Sequence, residues 1–367
     1  MPTLDEAKTQ IDAVIRKSRV DLYKPIQIAE VLHRARTVGD LQTNILDTYK
    51  NASLAWRNEV TRRLLGKVST SSAQFQHNVW ADNAMPPEML TVLDAENKRT
   101  AGVVERYIYL RFQERQATVA SVLDAVETAT ATTFQVSALL RLFVTQPGIK
   151  RSVDKAYEIV TYSLFETIVV SLRARVRVFV PEISRGLLAE FSDLASMLLG
   201  VTANQLDHEE DAHIYRVGVT NAADRGLDMW ANFGPVVQVK HLTLSEDLAG
   251  SIVDQVESDH IVLVCTDADA KVLAAVMKQI SWGQRVRGII TERMLVAWYE
   301  KCLRGKYADQ LAEPLLELLV SSFRAEFPQA AGIKDFLVER NYLVPTTYAL
   351  WHTEVDNIKE AEAELDL

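Results

Sequence analysis

The apolar residues of this 367-residue chain change their period once, and that change limits the folds open to it. Up to residue 148 they recur at helical spacing. Leu4, Ala7, Ile11, Val14 and Ile15 form one stripe. Pro25 opens a second segment through Ile26, Ala29, Val31 and Leu32, and a third covers 40–66, with Gly66 as its stop. A polar loop follows at 67–78, Pro86-Pro87 closes a second loop, and helix resumes over 88–117 and 118–145. The Gln146-Pro147-Gly148 turn then marks a boundary. Beyond a helix at 150–170, the segment 172–180 alternates strictly, with Arg173, Arg175 and Arg177 on one face and Leu172, Val176, Val178 and Val180 on the other, which is strand period. From residue 184 the order reads α-β-β-β-α-β-α-β: a helix at 184–200 with one apolar face, strands at 213–220, 226–232 and 235–242, a Ser245-capped helix, a strand at 261–265, a helix at 269–280 and a strand at 286–290. Three consecutive strands and two helical crossovers predict a mixed sheet with helices on its faces. The expected organisation is a helical region over 1–148 and an α/β domain over 149–367 whose last part is helical again, with an acidic tail from Glu354.

Composition narrows the class. Apolar residues make up 48% and charged residues 24%, the profile of a globular protein. Two cysteines are too few for a disulfide scaffold, no apolar run is long enough to cross a bilayer, and the N-terminus carries charges where a signal peptide needs an apolar stretch. The expectation is an intracellular protein. The net charge of −9 argues against a non-specific nucleic-acid coat, but it is unevenly spread: residues 1–115 carry 17 basic against 14 acidic residues (+3), and 116–367 carry 23 against 35 (−12). A phosphate footprint is a local property, so the acidic total leaves DNA binding open.

The stretch from Asp224 to His241 carries the chemistry. Asp228 begins one strand, and the Asn232-Phe233-Gly234-Pro235 turn leads to the next. There Gln238 and Lys240 lie two residues apart and share a face. A carboxylate, an amide oxygen and an amine at one sheet edge fit metal-assisted phosphodiester hydrolysis. Mg²⁺ takes one or two protein oxygens and completes its shell with water and phosphate. Asp228 is the expected anchor, Gln238 and the carbonyl of Val239 offer further oxygens, and Lys240 orients the attacking water and stabilises developing charge. A hairpin with polar ends produces the same spacing without chemistry.

This layout resembles the PD-(D/E)xK nuclease core, in a variant where glutamine replaces the first acid of the ExK pair. That core has an acid on a helix ahead of the first strand, and Glu190 is the positional match. Three further stretches resemble the HaeII-type restriction endonuclease family: Leu22–Leu32, Val68–Ser72 through Asn83–Pro87, and Arg225-Gly-Leu-Asp-Met-Trp230 through Gln238-Val-Lys-His241. The resemblance implies a type II restriction enzyme of the prokaryotic cytoplasm. It would cut both strands of double-stranded DNA at a short palindrome with Mg²⁺, as a homodimer, with residues 1–148 as the DNA-recognition and dimerisation region, 149–367 as the nuclease domain, and host DNA protected by a cognate methyltransferase. Two rival readings are a modification-dependent or repair nuclease on the same core, and a non-enzymatic α/β module that senses a nucleotide or a partner.

For DNA contact the sequence offers Lys50, Arg57, Arg62, Arg63 and Lys67, followed by Ser69, Thr70, Ser71, Ser72, Gln74, Gln76, His77 and Asn78. The cations suit phosphates, and the polar loop has donor and acceptor types suited to base edges. A solvated helix face and a surface loop account for the same residues. The Arg173/Arg175/Arg177 face reads as a phosphate rail or as a charged guard on an edge strand. His208-Glu-Glu-Asp-Ala-His213 reads as an acidic loop, Cys265 as core, and Trp230 as a core anchor.

Overall fold

The computed structural model describes residues 2–217, 227–256, 258–269, 271–272, 274, 285–353 and 356. Asp224, the start of the Arg225–Trp230 motif, most of the helix expected at 269–280 and most of the acidic tail lie outside the described residues.

The N-terminal half is helical, as its periodicity predicts. Helix α1 (Leu4–Lys17) starts at a capping box in which Thr3 and Glu6 satisfy each other's backbone amides. In α2 (Tyr23–Thr37), Pro25 lies in the first turn, where its missing amide is harmless. Helix α3 (Ala52–Leu65) is shorter than the expected 40–66 and ends at Gly66, whose φ of +68° suits a residue without Cβ. The short α4 (Ala73–His77), α5 (Pro87–Arg99), the 25-residue α6 (Val103–Glu127), α7 (Val136–Thr145) and α8 (Val153–Ser171) complete this part.

Next comes a separate two-stranded ribbon. Strand β1 (Arg175–Phe179) pairs antiparallel with β2 (Asp207–Asp211). Between them lie α9 (Arg185–Glu190) and α10 (Ser192–Leu199), two helices where the sequence suggested one. The acidic stretch at 208–213 is therefore largely strand rather than loop. Two of its acids are taken by an arginine opposite, Arg175 pairing with Glu209 and Asp211, while Glu210 accepts from Asn232 and the neighbouring Asp207 pairs with Arg177.

The main sheet has the order β3-β4-β5-β6-β7, formed by Ile214–Arg216, Met229–Ala231, Val236–Leu244, Ile261–Ala268 and Val286–Thr291. The first two pairings are antiparallel and the last two parallel, the mixed sheet expected from the element order. Helix α11 (Glu246–Gln255) makes one crossover. Three further helices follow: α12 (Glu292–Arg304), α13 (Ala308–Glu326) and α14 (Ile333–Glu339).

Side-chain alternation along β5 gives the sheet two apolar faces. Val237 and Val239 join Ile214, Met229 and Val264 beneath Ile159, Val160 and Leu164 of α8 and Leu319 and Phe323 of α13. Val236, Leu263 and Cys265 pack with Ala249 and Ile252 of α11 on the other side. A separate core unites α1, α2, α3 and α5 with the first half of α6, and Phe336, Leu337 and Trp351 return to it from the C-terminal part. The second half of α6 enters the sheet's core, so one helix runs through both. Among the described residues, no helix is long and apolar enough to cross a membrane. Leu164 is buried between α8's neighbours and the sheet. Leu164→Ala should cost about 2–5 kcal/mol in urea unfolding, through lost burial and the cavity left behind.

Candidate active site

Strand pairing brings Asp228 opposite Gln238. Met229 pairs with Val237 and Trp230 with Val236, and the Asp228 amide donates to the Val237 carbonyl at 3.2 Å. The strand β4 begins one residue later, so the edge of β5 beyond this point meets a carboxylate instead of backbone. Asp228 Oδ2 accepts hydrogen bonds from Gln238 Nε2 and from the Val239 amide, both at 2.7 Å. This fixes the Gln238 amide, because its nitrogen must face the carboxylate. Its oxygen, Oε1, is buried and has no hydrogen-bond partner among the described residues. A residue in a strand directs its amide and its carbonyl to the same edge, so the Val239 carbonyl faces this edge too. Lys240 is half-buried and makes no direct ion pair among the described residues, though its charge acts on Asp228.

Helix α8 completes the cluster with groups the sequence did not single out. Lys155 holds both oxygens of Glu158, at 2.6 and 2.9 Å. Asp154 pairs with His241 Nδ1, which ties the start of α8 to the strand carrying Lys240. Burial raises the Asp228 carboxyl above its usual range; the Val239 amide, Lys240 and Lys155 oppose this, and Asp154 adds to it. Burial pushes Glu158 up to about 7, against the pull of Lys155 and with added repulsion from Asp228 and Glu326. Two raised carboxyls, one of them pushed further by the other's charge, with Lys155 acting on both, are the type of cluster found at functional sites.

Glu190 does not join it. This residue ends α9, is exposed, and has no hydrogen bond or ion pair with the cluster. The helix preceding the sheet in sequence is not the helix packed on it, because the ribbon 172–213 is inserted between α8 and β3. The acid that packing delivers is Glu158. Its signal was Asp154-Lys155 followed by Glu158 one helical turn on, the charged start of a helix whose only later charge is Glu166. Trp230, expected in the core, is half-exposed and stacks on Tyr215 with ring centres 4.5 Å apart.

The proposed DNA-contacting residues divide by environment. Arg57 is buried; its guanidinium donates to Gln27 (3.2 Å), Asn58 (2.6 Å) and Gln76 (2.6 Å), and burial pulls its pKa down to about 10. It is thus closed to phosphate and anchors the loop instead, since Gln76 in turn donates to the Ser71 carbonyl. Arg63 is engaged by Glu339, and Lys67 by the Glu326 carbonyl and Asp21. Ser72 caps α4. Arg62, Thr70, Gln74 and Asn78 are exposed, and Ser69, Ser71 and His77 half-buried. Gln74, His77 and Asn78 gather with Lys50 around a cleft of about 420 Å³.

At the edge of a mixed sheet the structure thus gathers a half-buried Asp228, a buried Glu158, a neighbouring lysine and an amide oxygen without a partner among the described residues. Over residues 7–342 the chain matches the HaeII restriction endonuclease family, and it belongs to that family. It is 46% identical over 351 residues to the type II restriction enzyme NgoBI of Neisseria gonorrhoeae, covering 94% of this chain and 99% of the relative. It is 44% identical over 336 residues to the type II restriction enzyme HaeII of Haemophilus aegyptius, covering 92% and 95%. No solved structure shows a significant match.

The raised pKa of Glu158 gives a stability signature. Between about 4.5 and 7 the folded state holds a proton that the unfolded state has lost, so stability should fall as pH rises through that window. Chemical denaturation of the metal-free protein at pH 5 and pH 8 should show a smaller fall for Glu158→Gln than for the parent; an unchanged fall would assign the slope elsewhere.

Proposed function

We propose that the Asp228 cluster is the centre at which this chain cuts double-stranded DNA. The chain is a site-specific deoxyribonuclease of the type II restriction class. The observation that carries the assignment is the pair of hydrogen bonds from Gln238 and Val239 to Asp228, which leaves Gln238 Oε1 buried and unpaired.

An uncompensated buried oxygen is costly, and a hard cation is the partner it lacks. The donors fit a divalent ion. Asp228, Gln238 Oε1 and the Val239 carbonyl would hold it, with Glu158 as a second carboxylate. Among the described residues no three His, Cys, Asp or Glu side chains gather into a cage of their own. A Mg²⁺ ion held here would take most of its positions from water and substrate phosphate. When bound, the ion supplies positive charge against the phosphate oxygens in the transition state.

The protein's own groups do the rest. Asp228 fixes the amide of Gln238. Lys240 orients the attacking water and donates to the phosphate as negative charge builds on it. Lys155 holds Glu158 in place, and His241 with Asp154 fixes the strand beside Lys240. Arg62, which is exposed, and the loop at 69–78 bind DNA, while Lys67 stays engaged with Glu326 and Asp21 and supports the loop's start. The substrate is a short palindrome, read by a homodimer. The enzyme acts in the cytoplasm beside a methyltransferase of the same specificity.

Asp228→Ala and Lys240→Ala should each lower single-turnover cleavage of unmodified phage DNA by about 10³-fold or more, while gel-shift binding persists. Cleavage by either variant at the parental rate would displace the site. Arg62→Ala should weaken binding and make the slope of log affinity against log salt shallower by about 0.9, the loss of one phosphate contact. An unchanged slope would remove Arg62 from the interface.

A further inference from the structure

The ribbon insert displays an apolar surface that no described residue covers. Ile183 just ahead of α9, Leu187 within it, Phe191 at the joint, and Leu194, Met197 and Leu198 of α10 recur at helical spacing, yet each is between 47% and 93% exposed. A helix presents such a face when something packs on it. The insert is closed at its base, where the Ala212 amide donates to the Ala174 carbonyl at 2.9 Å, so it projects as a unit between α8 and β3. These six side chains expose on the order of 700 Å². That exceeds the few hundred Å² of most monomer patches and approaches the ~800 Å² each partner contributes to a stable interface.

The exposed area argues for a second copy of the chain, and charge argues against one rival occupant, a polyanion. Residues 172–211 carry four arginines and seven acidic residues. Arg175, Arg177 and Arg185 are held by acids within the insert, while Glu190 and Asp193 flank the apolar stripe. A polyanion such as DNA meets repulsion here. We infer that this face is the homodimer contact, with a second copy of the chain as its occupant. The stripe runs from Ile183 to Leu198 with Phe191 near its middle. A twofold axis at Phe191 would lay two stripes antiparallel, so that one self-complementary patch closes the contact. The inference rests on the homodimer reading above and gives it a location: the nuclease half of the chain rather than the N-terminal helices.

Sedimentation equilibrium of the full chain tests it. The parent should sediment at twice 41.2 kDa. Leu187→Glu combined with Leu198→Glu should raise the dimer dissociation constant by about a hundredfold or more. Both positions are exposed in the single chain, so the variant should keep the parent's far-ultraviolet circular dichroism and a cooperative unfolding transition. Independently, Phe191→Cys should form a disulfide-linked dimer on mild oxidation, because Cys265 and Cys302 are buried. A parent that is monomeric with and without DNA would overturn both the dimer and its location. A parental dimer that survives the double substitution, or Phe191→Cys that does not cross-link, would overturn the location and leave the dimer reading standing.

Discussion

One carboxylate stands in for a missing piece of β-ladder, and the site is built around that substitution. Where β4 stops, Asp228 takes over the edge of β5 by accepting from the Val239 amide and the Gln238 side chain. The Val239 bond satisfies a backbone group that would otherwise be orphaned. The Gln238 bond settles which end of the amide faces inward. With both made, the sheet edge presents oxygens rather than amides, the donor type the proposed cation would need.

The remainder of the nuclease half serves that edge. Val237 and Val239 anchor β5 under α8, and this packing lays the polar start of α8 beside the carboxylate. Asp154, Lys155 and Glu158 arrive there together. The price is a buried acid: Glu158 is held near neutrality by burial and by the charge of Asp228, and Lys155 offsets only part of this. Clusters whose groups destabilise one another in the folded state commonly exist for what they bind.

How much of this could be read from the chain follows from the range of the interactions. The N-terminal helices, the mixed sheet and the pairing of Asp228 with Gln238 and Lys240 depend on period and on a short turn, and these are local. Glu158 was hidden because its partner lies 70 residues away and an inserted ribbon separates α8 from the sheet it covers. The apolar stripe on α9 and α10 was legible, but its exposure was not, since periodicity reports that a face seeks a partner and not whether the partner is in the same chain. Arg57 misled for a related reason. A guanidinium at helical spacing looks solvated, and only the packed structure reveals three amide and side-chain oxygens around it.

The identity of the helix-borne acid is the most exacting point, because it depends on tertiary packing. Single-turnover cleavage by Glu158→Gln and Glu190→Gln, on DNA already bound and started by adding Mg²⁺, addresses it directly. The account predicts a loss of about 10³-fold for Glu158→Gln and the parental rate for Glu190→Gln. Full activity in Glu158→Gln, or a comparable loss in Glu190→Gln, would contradict it.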